Sequence, residues 1–165
     1  MDFVIIAETF QKMEATAKRT ELTSLLVELI KNTPNELISK VVYLLQGILK
    51  PNFEGLELGI AEKLAIRAIA KSSGISVKKI QNVYNIDGDL GNAAANILKL
   101  KTQTTFIAEP ITLERVYETL LKIANLEGKG SQDLKIKYIS SLLNDATPTE
   151  GKFVLKILLG VLRLG

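Results

Sequence analysis

The stretch TPTEGKFVLKILLGVLRLG, residues 147–165, leaves the least freedom of any part of this sequence. Thr147 suits a helix N-cap, Pro148 the first helical position, and Glu150 is placed to close a capping box with the threonine. At 100° per residue the helix that follows is apolar almost all round, through Phe153, Val154, Leu155, Ile157, Leu158, Leu159, Val161, Leu162 and Leu164. Such a helix has to be wrapped by neighbours on most sides. One narrow strip escapes: Lys152, Lys156, Gly160 and Arg163 follow one another at steps of four, four and three and fall on a single face. Glycine inside a helix costs roughly 1 kcal/mol against alanine, so something must come close to the backbone there. A polyanion backbone fits three cations around a residue with no side chain. An ordinary solvated edge fits them too, with the glycine admitting a neighbouring helix.

Taken in order, the rest of the chain is helical. Phe3, Ile6, Phe10, Met13 and Ala17 recur at threes and fours and predict a first amphipathic helix. Lys18-Arg19-Thr20 ends it and caps a second, Glu21 to Lys31. Thr33-Pro34-Asn35-Glu36 reads as another capping box, opening a third helix through Val41, Leu44 and Leu45 that Pro51 stops. Further helices are predicted over Ile60 to Ser73 with Gly74 as C-cap, from Ser76 to about Asn85, and from Asp87-Gly88-Asp89 through Leu100. Thr102 to Ile111 reads as a loop. Thr112 caps the next helix, Gly128-Lys129-Gly130-Ser131 breaks it, and Ser131 caps another to about Asp145. No alternating strand pattern with hairpin signals is present, so the expected fold class is all-α.

Composition excludes more than it assigns. A chain of 165 residues with 47% hydrophobic and 24% charged residues can build a real core. With neither cysteine nor histidine it has no thiolate or imidazole metal ligand and no Ser-His or Cys-His nucleophile system. Net charge of +3 permits a nucleic-acid partner without demanding one. No apolar run is long enough to span a bilayer and the amino terminus lacks a signal-peptide pattern, so a cytoplasmic protein with no membrane partner is expected.

An internal repeat runs through this order. Residues 7–13, AETFQKM, match residues 117–123, YETLLKI, at an offset of about 110. Thr33-Pro34-Asn35-Glu36 matches Thr147-Pro148-Thr149-Glu150, and Gly47-Ile48-Leu49-Lys50 matches Gly160-Val161-Leu162-Arg163. Two helical lobes related by a pseudo-twofold are therefore expected, with the second copy stopping where the first continues.

Chemistry is sought first at the Gly128-Lys129-Gly130-Ser131 loop. Its glycines let backbone N–H groups face outward at an electropositive helix start, where a phosphate is well received. Lys135 lies within the apolar arc of that helix and must thread its ammonium back towards the same loop. An ordinary helix connection is the plain alternative. In the first copy Lys18-Arg19-Thr20 occupies the corresponding junction, with Lys40, Gly47 and Lys50 on a similar strip. Asp87 and Asp89 flank Gly88 as helix-end residues, and Asn85-Ile86-Asp87-Gly88 has an asparagine where the Lys-x-Asp-Gly of nucleotidyl transferases has its nucleophile.

The run from Gly130-Ser131 through Leu134-Lys135, Ala146 and Phe153 to Gly160-Val161-Leu162-Arg163-Leu164-Gly165 resembles the N-terminal DNA-binding domain of archaeal and eukaryotic ATP-dependent DNA ligases. Residues 56–60, LELGI, and Gly88-Asp89-Leu90-Gly91 are similar to two further landmarks of it. The resemblance implies an all-helical domain that grips nicked duplex DNA from the minor-groove side without sequence preference, in replication, repair and recombination. It carries a DNA-contact role onto Gly130, Ser131, Lys135, Gly160, Arg163 and Gly165, and onto Arg19; the loop and strip readings add Lys129 and Lys156. It implies that residues 1–165 are a fragment cut short on the C-terminal side, monomeric, with no cofactor of its own. ATP and Mg belong to an absent adenylation domain, so the chain alone is expected to be inactive. Gln103-Thr104-Thr105-Phe106-Ile107 resembles the box by which archaeal ligases attach to the sliding clamp (PCNA), with Gln103, Phe106 and Ile107 as contacts; a loop anchored by Phe106 on its own core is the other reading. Outside the family, a helical-repeat scaffold that binds protein accounts for the same buried helices.

Overall fold

The computed structural model describes residues 1–51, 54–56, 58–101 and 109–165. The expected clamp box, Gln103 to Ile107, lies outside the described residues. The described residues form an all-helical fold: α1 (Phe3–Glu14), α2 (Arg19–Lys31), a 3-10 turn (Asn35–Leu37), α3 (Ile38–Leu45), α4 (Glu62–Ser73), α5 (Val77–Asp87), α6 (Leu90–Lys99), α7 (Leu113–Asn125), α8 (Ser131–Asp145) and α9 (Pro148–Leu158). None of these helices is long and apolar enough to cross a membrane.

Side-chain capping sets the starts of α5, α6, α7 and α9. Ser76, Asp89 and Thr112 each accept a hydrogen bond from the backbone N–H three residues on. At Thr147 the full capping box forms, with Glu150 reaching back to the threonine N–H at 2.9 Å. The Thr33 to Glu36 box does not form. Thr33 is buried and its hydroxyl donates instead to the Leu29 carbonyl at 2.7 Å, so α2 keeps the residue and the chain enters α3 through the 3-10 turn.

Around α9 the core is densest. Residues 150–158 are all buried; α6 runs along one side and α1 against another. The crossing with α6 depends on small residues. A Cβ on Gly151 would stand 2.4 Å from Leu98 Cδ1, and one on Gly91 would stand 3.0 Å from the Lys152 carbonyl oxygen. Phe10 of α1 meets Phe153 of α9 edge-on, ring centroids 5.6 Å apart. Full burial of two such rings contributes about 1.5–3 kcal/mol each.

The two lobes are real and their register can be followed. α1 and α7 begin 110 residues apart, and their entries are joined by an isolated antiparallel bridge between Asp2 and Thr112. Phe3 N–H donates to the Ile111 carbonyl at 2.9 Å while Leu113 N–H donates to the Met1 carbonyl at 2.8 Å, so exchanging the two copies at an offset of 110 turns one bond into the other. The match extends to the ends of α3 and α9. Gly47 and Gly160 both have φ of 69°. In each, the glycine N–H bonds to the third carbonyl back and the next N–H to the fifth, the Schellman arrangement. Gly160 therefore does not lie inside a helix: α9 stops at Leu158, and residues 160–165 are non-helical.

Candidate nucleic-acid interface

Of the strip predicted on α9, only its last members face solvent. Lys152 and Lys156 are buried, and the Glu14 carboxylate of α1 binds both, at 2.7 Å to Lys152 and in a short contact to Lys156. Lys156 also reaches Asp89 at 3.3 Å, and Lys152 donates to the Gln11 side chain at 2.9 Å. Burial opposes ionisation of Glu14, but the two lysines outweigh it and hold the carboxyl below the usual range. Burial likewise opposes the charge on Lys156, which its bonds to Glu14 and Asp89 nevertheless hold above its ordinary value. With two cations and two anions, this cluster ties α9 to α1 and to the start of α6, and the buried Lys156 is not placed to meet a ligand. Arg163 stays exposed, its guanidinium donating to the Leu162 carbonyl at 2.8 Å. Gly165 lies on α2, where a Cβ would stand 2.8 Å from Leu22 Cδ1, one helical turn along from Arg19.

The loop before α8 is open. Gly128 and Gly130 have φ of 84° and 82°, and a Cβ at either would meet nothing within 4 Å. Ser131 does not cap the helix; Gly130 occupies the N-cap position and no side chain accepts from the first turn. The early N–H groups, the exposed Lys129 and the half-buried Ser131 thus gather at one electropositive helix start. Lys135 is half-buried with no ion-pair partner among the described residues, whereas its neighbour Leu134 is 42% exposed.

The corresponding junction in the first lobe differs in detail: its N-cap backbone is extended where that of Gly130 is left-handed, and the Lys18 ammonium pairs with Glu21 at 3.0 Å. Lys18 is the N-cap of α2, again without a side-chain cap, and Arg19 is exposed. Thr16 orders the loop, accepting from Lys18 N–H at 3.2 Å and donating to Glu21. Each helix carries an acid at its third position, Glu21 and Asp133. Asp87 and Gly88 do what helix ends require: Asp87 closes α5 and Gly88 is its left-handed C-cap at φ of 82°. Sequence reading missed Glu14, Gln11 and Asp89 as the partners of Lys152 and Lys156. The available signal was a pair of lysines four apart inside an apolar girdle.

An all-helical domain of two matched lobes, each with a helix start that lacks a side-chain cap and lies beside exposed cations, defines a class of two-lobed helical modules. The family is narrower. Residues 2–165 match the family model described as DNA ligase N terminus, and the chain belongs to that family. It is 69% identical over its whole length to a DNA ligase of Nitrosopumilus maritimus, 59% to one of Cenarchaeum symbiosum and 38% to one of Thermococcus onnurineus. It spans 28%, 28% and 29% of those relatives' lengths.

Proposed function

We propose that this chain is the DNA-gripping part of an ATP-dependent DNA ligase and binds nicked double-stranded DNA without sequence preference. The observation that carries the reading is the recurrence of a helix start without a side-chain cap beside exposed cations, at Lys18-Arg19 and at Gly128 to Ser131, in corresponding positions of the two repeat copies. Two antiparallel phosphate strands are themselves related by dyads, and protein twofold symmetry commonly mirrors that of duplex DNA. Backbone N–H groups and cations that meet phosphate fix position and carry no base information, which suits an enzyme that must act at any nick. Arg19, Lys129, Gly130, Ser131 and Lys135 form the proposed contacts, joined by Gly160, Arg163 and Gly165 at the C-terminal segment.

Ligation itself is proposed for the longer protein. There ATP and Mg²⁺ supply the adenylation chemistry, and these residues hold the DNA ends. The segment Gln103 to Ile107 is proposed to engage a sliding clamp; its deletion is expected to abolish clamp pull-down, and unchanged retention would remove that part. A protein-binding scaffold keeps one point in its favour. An apolar cleft between α2 and α3, lined by Met13, Leu26, Ile30, Val42, Leu45 and Leu164, is open to solvent.

Fluorescence anisotropy with a nicked duplex at several salt concentrations separates the two. Phosphate contacts make log K fall linearly with log salt, by about 0.9 per contact. Arg19→Ala, Lys129→Ala and Lys135→Ala are expected to weaken binding to every sequence alike. Salt-insensitive binding, or none, would favour the scaffold.

A further inference from the structure

Helix α4 is packed on most sides, with Leu64, Ala65, Ile66, Ala68, Ile69, Ser72 and Ser73 buried. Beyond Glu62 at its start, its exposed residues are Lys63, Arg67 and Lys71. They stand one turn apart, about 6 Å per step along the axis, and drift only about 40° each time, so they make one straight row. Lys63 and Lys71 have no partner among the described residues. Glu62 keeps its charge, but its carboxylate is held towards α5, where it accepts the Tyr84 hydroxyl at 2.8 Å. One acid faces the row: Asp133, whose Oδ1 lies 3.7 Å from the Arg67 guanidinium. Both partners are largely exposed, at 84% and 54%, so the pair adds little to folding. Asp133 is the third residue of α8. The pair therefore fixes the row within one helical turn of the Gly128 to Ser131 loop.

We infer that the exposed edge of α4 is a second track for the sugar-phosphate backbone, used by the same duplex that meets the α8 loop, with Asp133 as the group that phosphate displaces from Arg67. The inference rests on the DNA-binding reading. Duplex DNA carries a phosphate every 3.4 Å of axial rise on each strand, along a regular helical path that an evenly spaced row of cations can meet. In free protein the Asp133 carboxylate neutralises Arg67; against DNA it repels the incoming strand. It therefore limits affinity at a site where permanent attachment would stall release.

The test uses the 165-residue chain and a nicked duplex between 50 and 200 mM salt. The variant K63Q/R67Q/K71Q is expected to make the slope of log K against log salt shallower by about 2 to 3. The charge-matched K31Q/K99Q/K122Q, altering exposed lysines of α2, α6 and α7, is expected to change it by less than 1. D133N is expected to tighten binding two- to fivefold, and the gain is expected to vanish in R67Q/D133N. Equal slopes for the two triple variants, with K129Q and K135Q still weakening binding, would overturn the α4 track and leave the loop contacts standing. Loss of salt dependence in the unaltered chain would remove both.

Discussion

Glu14 holds two ammonium groups against one carboxylate at the edge of the core. Removing Glu14 leaves the buried Lys152 without a carboxylate and Lys156 with Asp89 alone, so Glu14→Ala is expected to destabilise the fold by about 3–5 kcal/mol in urea unfolding. The pH dependence has a definite sign. A carboxyl whose folded pKa lies below its unfolded value contributes stability that is present above about pH 4.3 and lost as pH falls through the folded value. Lys156, raised, contributes below about pH 10.4 and loses that contribution as pH rises beyond it through the folded value. Melting temperature against pH should show the acid fall in the native chain and a flatter acid limb in Glu14→Gln. Sequence placed Lys152 and Lys156 correctly on one angular face of α9. It could not show that the face is covered, because the acid that covers it comes from a helix at the opposite end of the chain.

Among the elements, the ends were more legible than the faces. Ser76, Asp89, Thr112 and Thr147 cap where their side-chain chemistry says they should, and Gly74 takes the left-handed C-cap, since these motifs are closed within a few residues. The same letters at Thr33 to Glu36 misled, because a buried hydroxyl there found a nearer carbonyl. Gly160 misled in another way: an unbroken apolar run hid the point where α9 stops. The matched Schellman turns give a paired prediction. Gly47→Ala and Gly160→Ala must each place a Cβ in the left-handed region and are each expected to cost about 1–2 kcal/mol in chemical denaturation. Thr147→Ala is expected to cost about 1 kcal/mol through the lost box.

For the molecule as a whole, the all-α class and the twofold repeat were readable from periodicity and offsets, whereas the packing of α4 on α8 and α6 on α9 was not. The contact of α6 with α9 depends on small residues such as Gly151 and Gly91, whose meaning emerges only once the facing helix is known. The bridge between Asp2 and Thr112 makes the lobes one unit. In native-state hydrogen exchange the Phe3 and Leu113 amides are therefore expected to exchange with the same opening free energy; a Phe3 amide that exchanges much faster would mean the lobes separate first.

That bridge and the contacts beside it also govern how the chain is made. Gln11 and Lys152 meet across 141 residues, and α1 pairs with elements from the far end of the sequence. A ribosome extends a chain at about 5–20 residues per second, so the greasy side of α1 emerges many seconds before Phe153 exists to receive it. Through that interval its apolar side has no α9 to pack on, and the contacts between α1 and α9 can form only once α9 has left the exit tunnel.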